Sequence, residues 1–509
     1  LTGISAAAKN PPPLDEEALA ALTFELARNY FATFQHPETS VLYGTRLSTK
    51  DSWTSPADVL AEKPIPWGYG SRIADTVLHT GHMLVALLDA HAARPDPWFR
   101  DQIVKLFSAI QFIGNLPETH PKAGKPDLVG IVPRGPHPDD PAAWYDDSSM
   151  DQHTTYIISL ALYAKSGLAS AEDKEWIALS LGKVGRRLER HGWSIKRGDG
   201  VTEAHVGFAW TGFNSNHASI LLPAVLALYE GTEDEHWRDV YENFLREREG
   251  LRWEQMHPGP HVRINGHPIY ANQNAFRVNA LLQFERNGER RAVIRGLLAQ
   301  SARMQLARDF PGEMYRRFQS AETWERVRRE FEWKDADLHG AAEAWASFDP
   351  AQLEGKDASM AALAHIRFPL GGFHMALLSE DEALIREKIP AIWKMLNVVD
   401  LERIAAAETH YLFTVVALHL DAQFHRHPEL FAPATASTSS SSSTSTSTSR
   451  DASTNLLEPR GLAGTGPVID VAIEGERAYA IGRGKLRVLD ITEPSHPNIL
   501  GALEGLGAV

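Results

Sequence analysis

Three aspartates stand close together in the stretch WYDDSSMDQHTTY at residues 144–156, where a run of apolar residues begins. They are Asp146, Asp147 and Asp151, and His153 follows them. One such side chain is enough to cap a helix, and negative charge is favourable at that helix end. Three exceed this need, and carboxylates sharing a partly desolvated site raise one another's pKa, which keeps a general acid protonated near neutral pH. The stretch is the strongest catalytic candidate in the chain.

A second group of polar and aromatic residues lies in PWGYGSRIADTVLHTGH at residues 66–82. Trp67 and Tyr69 stand beside glycines ahead of a predicted helix, which suits a rim on which sugar rings stack, and Arg72 follows them. Asp75 lies a turn inside the predicted helix. Two interpretations of Asp75 stay open: it contributes a catalytic carboxylate, or it caps the helix or pairs with Arg72 three residues earlier.

Polar residues also open other predicted apolar helices. In WTGFNSNHAS, one Asn or Ser is explained as an N-cap, which leaves Asn216 and His217 as candidate substrate ligands. Arg263 and Asn272 lie at the approach to another helix, and arginine presents a planar fork that matches a carboxylate, so an acidic protein can still bind a uronic acid. The remaining candidate substrate-binding residues are Tyr145, His410 and Tyr411.

These candidates would be positioned by helices, which the pattern predicts from about residue 15 to residue 427. Helices that are apolar nearly all round, such as 153–163 and 217–229, alternate with helices that carry one apolar stripe, such as 175–190 and 236–248. A helix that is apolar all round must be surrounded, whereas a striped helix lies at the surface. The alternation predicts an all-α (α/α)6-type barrel of about twelve inner and outer helices. An α-solenoid or an irregular bundle is the alternative, although no sequence period is visible.

The chain changes character at residues 437–449, where every residue is Ser or Thr, a composition that predicts a flexible tether. Beyond it, three short β-rich runs separated by glycine predict an all-β segment. The predicted organisation is a catalytic domain at 1–432, a linker at 433–460 and a β fragment at 461–509. The run LRVLDITEPSHPNILG resembles the LVIVD-type repeat of β-propellers, which implies one blade of a larger assembly.

Composition excludes several classes of function. The 509 residues contain no cysteine, so disulfides, thiolate metal sites and cysteine nucleophiles are excluded. A net charge of −14 argues against nucleic-acid binding. No apolar stretch approaches the roughly 18 residues of a spanning helix, so no membrane association is predicted. Because the chain begins at Leu1, we expect a preceding segment to have been removed, which would hide a signal peptide; an extracellular or periplasmic location is favoured.

No metal or cofactor is predicted. The pairs His79 with His82 and His257 with His261 have helical spacing, but Pro258 and Pro260 lie between the second pair, and no HExxH motif occurs. No glycine-rich phosphate loop follows a strand either. The oligomeric state stays open.

The stretches PWGYG, GIVPRG at 130–135, YDDSSMDQHTTY and GFNSNHAS resemble those of (α/α)-barrel glycoside hydrolases that act on uronic acids, in families 88, 105 and 154. The resemblance implies removal of a terminal glucuronic acid or a related uronic acid from oligosaccharides or polysaccharides. It places Asp151 as acid or base and Asp75 as its partner, with Asp146, Asp147 and His153 as substitutes. For family 88-type enzymes it implies hydration of a ring double bond.

Two other functions compete with this glucuronidase-like hydrolase. A polysaccharide lyase would neutralise the uronate carboxylate and eliminate across the ring, using Asn216, His217, Arg263 and Tyr411. A non-catalytic glycan-binding protein would explain the aromatic rim but not the clustered acids.

Overall fold

The computed structural model describes residues 11–63, 66, 68, 71–262, 268–307, 368–398 and 407–432, and the strand residues 470–474, 477–482, 485–490 and 498–504. The chain divides into two compact units, Leu1–Thr435 and Ala436–Val509. The described part of the first unit is mostly helical, in agreement with the prediction of an all-α fold.

The helices are α1 (Glu16–Phe34), α2 (Pro56–Leu60), α3 (Thr76–Ala93), α4 (Pro97–Thr119), α5 (Met150–Lys165), α6 (Ala171–Arg190), α7 (Ser215–Thr232), α8 (Glu235–Arg246), α9 (Leu251–Glu254), α10 (Pro268–Phe284), α11 (Gly288–Leu306), α12 (Phe368–Leu377), α13 (Glu382–Val398) and α14 (Ala407–Arg426). Short 3-10 helices occupy Leu47–Ser52, Glu247–Gly250 and Pro428–Leu430. A small antiparallel hairpin of β1 (Pro136–His137) and β2 (Asp140–Trp144) precedes α5.

Six of these helices contact one another in turn. Helix α3 packs on α5, α5 on α7, α7 on α10, α10 on α12, α12 on α14, and α14 again on α3. They bury nearly their whole circumference: in α3 every residue from Thr76 to Leu88 is buried. Such helices are stable only when other helices surround them, because water would otherwise contact apolar side chains on every face.

The other long helices each pack on one or two of these six. Helix α4 contacts α3, α6 contacts α5 and α7, α8 contacts α7, α11 contacts α10 and α12, α13 contacts α12 and α14, and α1 contacts α14. Each buries one stripe, as α8 does with Trp237, Tyr241 and Leu245. The alternation of surrounded and striped helices expected from the sequence is present in this order.

The described strands of the second unit form one antiparallel sheet. Its strands are β3 (Asp470–Glu474), β4 (Arg477–Gly482), β5 (Lys485–Asp490) and β6 (Asn498–Glu504), and each pairs with the next along the chain. The first three coincide with the β-rich runs of the sequence; β6 was not predicted, since Gly501 interrupts its short apolar run. Among the described residues of the whole chain, no helix is long and apolar enough to cross a bilayer.

Candidate active site

Asp75 occupies the N-cap of α3, but its side chain makes no capping hydrogen bond. Its backbone is left-handed, with φ 67°, a conformation that Asp tolerates better than most residues. Its Oδ1 instead accepts hydrogen bonds from Arg134 Nη1 at 2.8 Å and from Gln152 Nε2 at 3.1 Å. Neither capping nor pairing with Arg72 therefore accounts for this carboxylate: its ion pair is with Arg134, and Arg72 is exposed.

Other groups cap α3 in place of the Asp75 side chain. The Arg134 carbonyl accepts from Thr76 N at 3.0 Å and from Thr76 Oγ1 at 2.7 Å. Gln152 Oε1 accepts from Leu78 N at 3.2 Å. The close approach of the 130–135 loop requires Gly135, where φ is 148° and a Cβ would collide with Thr76 Oγ1. Because these acceptors satisfy the helix end, the Asp75 carboxylate is not needed as a cap, and its side chain is 25% exposed.

Asp151 lies in the first turn of α5 and is half-buried. Its Oδ1 accepts hydrogen bonds from Ser149 Oγ and, at 3.1 Å, from the backbone N–H of Gln152. Its Oδ2 accepts from Gln273 Nε2 of α10 at 3.4 Å. Gln152 therefore donates to both carboxylates, through its backbone to Asp151 and through its side chain to Asp75. The structure brings together the two aspartates that the sequence nominated as partners.

Asp147 is almost fully buried beside this pair. Its Oδ2 accepts from the backbone N–H of His205 at 3.0 Å, and its Oδ1 lies 3.7 Å from Arg134 Nε. Burial raises the pKa of Asp147 above its ordinary value, and the His205 hydrogen bond and the Arg134 charge offset this only in part. Burial, and not repulsion between neighbouring aspartates as expected from the sequence, is the larger cause. Arg134 therefore lies between Asp147 and Asp75 and contacts both carboxylates.

Asp146 points into a different cluster and is fully buried. It forms ion pairs with Lys125, at 2.9 Å, and with Arg197, and it accepts from Gly198 N at 3.1 Å. Burial would raise the pKa of Asp146, but these two cations outweigh it, so the pKa lies below its ordinary value. This carboxylate anchors the 196–198 loop.

His153 is fully buried, and its Nδ1 donates to the Ser149 carbonyl at 3.1 Å. Its Nε2 has no hydrogen-bond partner among the described residues. Burial lowers the pKa of His153 to about 3, and the positive charges of Arg187 and Arg134 contribute to the shift. The imidazole is therefore neutral at physiological pH and has no contact in the described structure with Asp75 or Asp151.

Asn272 and Tyr411 lie between packed helices, although the sequence placed them among substrate ligands. Both are fully buried. Asn272 Nδ2 donates to Tyr411 Oη at 2.9 Å and to His82 Nδ1 at 3.0 Å, and Asn272 Oδ1 accepts from His374 Nδ1. Burial lowers the pKa of both His82 and His374. Asn272 thus joins four helices, α3, α10, α12 and α14, through one polar network.

The remaining predicted ligands are scattered. His217 Nδ1 accepts from Gly212 N at 2.9 Å, and burial lowers the pKa of His217. Neighbouring Asn216, also half-buried, accepts from Ser219 Oγ through its carbonyl. His410 Nε2 lies 3.4 Å from Arg46 Nη2, on the side of α14 that faces α1. The Tyr145 hydroxyl donates to the Lys63 carbonyl.

Trp67, Tyr69 and Arg263 lie outside the described residues. Within the described part of the chain, no group of three or more His, Asp or Glu side chains is arranged to hold a metal ion.

Sequence reasoning missed Gln152 and Gln273 and undervalued Arg134. Gln152 directly follows Asp151, and Arg134 belongs to the GIVPRG loop, so both stood in stretches already selected. Their roles depend on contacts between residues far apart in sequence, such as 134 with 75, which no local pattern encodes. Together these residues present two partly accessible carboxylates held by fixed donors at the first turns of two adjacent helices, an arrangement suited to paired acid and base chemistry.

Comparison of the chain with models of known protein families finds no match, and none of the curated proteins searched matches it either.

Proposed function

We propose that this chain is a glycoside hydrolase that releases a terminal glucuronic acid, or a related uronic acid, from oligosaccharides or polysaccharides. The observation that carries the proposal is the hydrogen bonding of Gln152 to both Asp75 and Asp151. Glycosidic bond hydrolysis needs two carboxyl groups near one sugar, one to protonate the leaving oxygen and one to act on the opposite side. Asp75 and Asp151 are partly exposed, come from different helices and are held by the same residue.

The proposed scaffold is an (α/α)6-type barrel with the site at the N-terminal ends of its inner helices. The closed cycle of contacts among α3, α5, α7, α10, α12 and α14 supports this architecture. The antiparallel order of β3, β4, β5 and β6 likewise supports the proposal that the second unit is one propeller blade.

In the proposed mechanism, Asp75 activates water and Asp151 protonates the leaving oxygen. Asp75 takes the base role because its ion pair with Arg134 requires the ionised carboxylate. Asp151 takes the acid role, and Ser149, Gln152 and Gln273 fix its orientation. Both groups are held before substrate arrives, so little reorganisation accompanies the reaction.

Arg72 is the proposed ligand of the sugar carboxylate. It is exposed, it lies three residues before Asp75, and no carboxylate among the described residues forms an ion pair with it. A guanidinium binds a carboxylate through two parallel hydrogen bonds, so Arg72 would favour uronic acids over neutral sugars. The lyase alternative has less support, because His217 Nδ1 already accepts a hydrogen bond from Gly212 and Tyr411 is fully buried.

The test is incubation of the full chain with oligosaccharides capped by glucuronic acid, both saturated and 4,5-unsaturated. Release of the free monosaccharide supports hydrolysis, and loss of ultraviolet absorbance from the unsaturated cap supports the hydration reaction of family 88-type enzymes. New ultraviolet absorbance after incubation with the saturated oligosaccharide would instead support the lyase. Asp151→Asn and Asp75→Asn should each remove activity, while Asp101→Asn, an exposed aspartate of α4, should retain it. Full activity in Asp151→Asn would refute the proposal.

A further inference from the structure

A pocket of about 530 Å³ lies between the C-terminal end of α4, the segment after α2 and strand β2. Its lining includes Glu62, His120, Lys122, Lys125 and Ala142. None of these residues takes part in the site formed by Asp75 and Asp151. The lining carries two lysines against one glutamate, whereas the chain as a whole carries a net charge of −14.

The charges around this pocket do not balance. Lys125 lies 2.9 Å from Asp146 and 3.5 Å from Glu62, and Arg197 lies 2.8 Å from Glu62 and also pairs with Asp146. Lys125 and Arg197 therefore each form ion pairs with both carboxylates. Lys122 is left as a third cation, with no carboxylate among the described residues within ion-pair distance of its Nζ.

Lys122 is held in place without an anionic partner. Its Nζ lies 5.2 Å from the ring centre of Trp144, a cation–π contact, and the side chain is half-buried. Burial lowers the pKa of Lys122, since the attraction of Asp146 and Glu62 does not compensate for lost hydration and for repulsion by Lys125 and Arg197. An anion entering the pocket would supply the missing countercharge.

We propose that the Lys122 pocket, defined by Glu62, His120, Lys122, Lys125 and Ala142, binds a carboxylate or sulfate group of an acidic saccharide. The saccharide part rests on the proposed function; the binding of an anion does not. Strand β2 and the residues after it link the two places, because Ala142 lines the pocket and Asp147 contacts Arg134, the partner of Asp75. A chain of several acidic sugars could place one anionic group here while its end lies at Asp75 and Asp151.

A competing explanation is that Lys122 only stabilises the C-terminal end of α4, which ends at Thr119, through the helix dipole. That role requires neither a pocket nor Lys125 next to it. The two explanations differ in whether removal of the charge changes ligand binding or only stability.

Calorimetric titrations of the full chain at constant ionic strength would test the proposal, with sodium sulfate, sodium glucuronate and a tetrasaccharide of alternating uronic acids and N-acetylhexosamines as probes. Lys122→Met should weaken binding of the tetrasaccharide about tenfold, as expected when a charge-assisted hydrogen bond is lost, and Lys122→Arg should retain it. Lys174→Met removes an exposed lysine of α6 and should bind as the unmodified chain does. Thermal unfolding of each variant shows whether it is folded.

The outcomes separate this inference from the proposed function. Binding of sulfate or the tetrasaccharide that weakens in Lys122→Met supports the pocket even if no sugar is ever released. Equal binding by Lys122→Met and the unmodified chain, or binding of none of the three probes, overturns it. Weakening in Lys174→Met to the same extent would also overturn it, because the effect would then follow net charge and not the pocket.

Discussion

The side-chain amide of Gln152 donates to Asp75 Oδ1 at 3.1 Å, although the two residues lie 77 positions apart in sequence. The same side chain accepts from Leu78 N, and the Gln152 backbone donates to Asp151. Gln152 is fully buried, so its orientation is fixed by these partners. One uncharged residue thus sets the relative position of two carboxylates.

Replacement of Gln152 by Glu should lower kcat. The new carboxylate would face Asp75, and repulsion between the two carboxylates would displace the Asp75 side chain. A displacement of about 1 Å can reduce the rate of a positioned reaction roughly a hundredfold. Steady-state kinetics on a glucuronic-acid-capped oligosaccharide would measure kcat and KM separately. A variant with unchanged kcat would show that Gln152 does not position the carboxylates.

Replacement of Arg134 by Met should destabilise the fold. Arg134 is buried and faces Asp75 at 2.8 Å and Asp147 at 3.7 Å, so its removal takes away the cation that lies within ion-pair distance of buried Asp147. Loss of one partner of a buried ion pair costs about 3–5 kcal/mol in the free energy of unfolding. Urea denaturation measures this loss. Adding Asp147→Asn should recover part of it, whereas a double variant no more stable than Arg134→Met would show that Asp147 is not the group left unpaired.

The sequence predicted the helices well because burial leaves a periodic signal. Helix α5, expected from 153–163 with its acidic residues at the start, runs from Met150 to Lys165 and carries Asp151 in its first turn. Asp75 was expected a turn inside its predicted helix, but it stands at the N-cap of α3. Its pairing with Asp151 was proposed because both residues belong to stretches that open an apolar helix.

The sequence did not show which aspartates belong to the candidate site and which only stabilise the structure around it. Asp146 and Asp147 are adjacent, yet Asp146 pairs with Lys125 and Arg197 while Asp147 faces Arg134. Asn272 resembled a surface ligand by residue type, but its helix turns it into the interior. These differences depend on partners far away in the chain, and residue type alone cannot supply them.

Replacement of Asn272 by Leu should destabilise the packing of α3, α10, α12 and α14. The amide is hydrogen-bonded to His82, Tyr411 and His374, all of which are buried, and leucine of similar size would remove these hydrogen bonds. Loss of a hydrogen bond to a buried polar atom costs about 1–3 kcal/mol. Thermal unfolding should show a large decrease in Tm. Asn397→Leu is the matched control, because Asn397 is half-buried and donates only to the Trp393 carbonyl of its own helix α13. A loss no larger than that of the control would contradict the role of the network.

Protonation of His153 should contribute to unfolding of the protein in acid. The pKa of this residue is about 3 in the folded chain, against an ordinary value of 6.5, so the unfolded chain binds a proton that the folded chain does not. The stabilisation is fully present above pH 6.5 and is lost as the pH falls towards 3, with a slope of about 1.4 kcal/mol per pH unit from this group. Asp147 acts with the opposite sign, since its raised pKa stabilises the folded chain at low pH.

The variant His153→Phe removes the titrating group at similar volume. Its free energy of unfolding, measured by urea denaturation from pH 7 to pH 4, should therefore decrease less steeply with falling pH than that of the unmodified chain. A slope equal to that of the unmodified chain would show that His153 does not stay neutral in the fold.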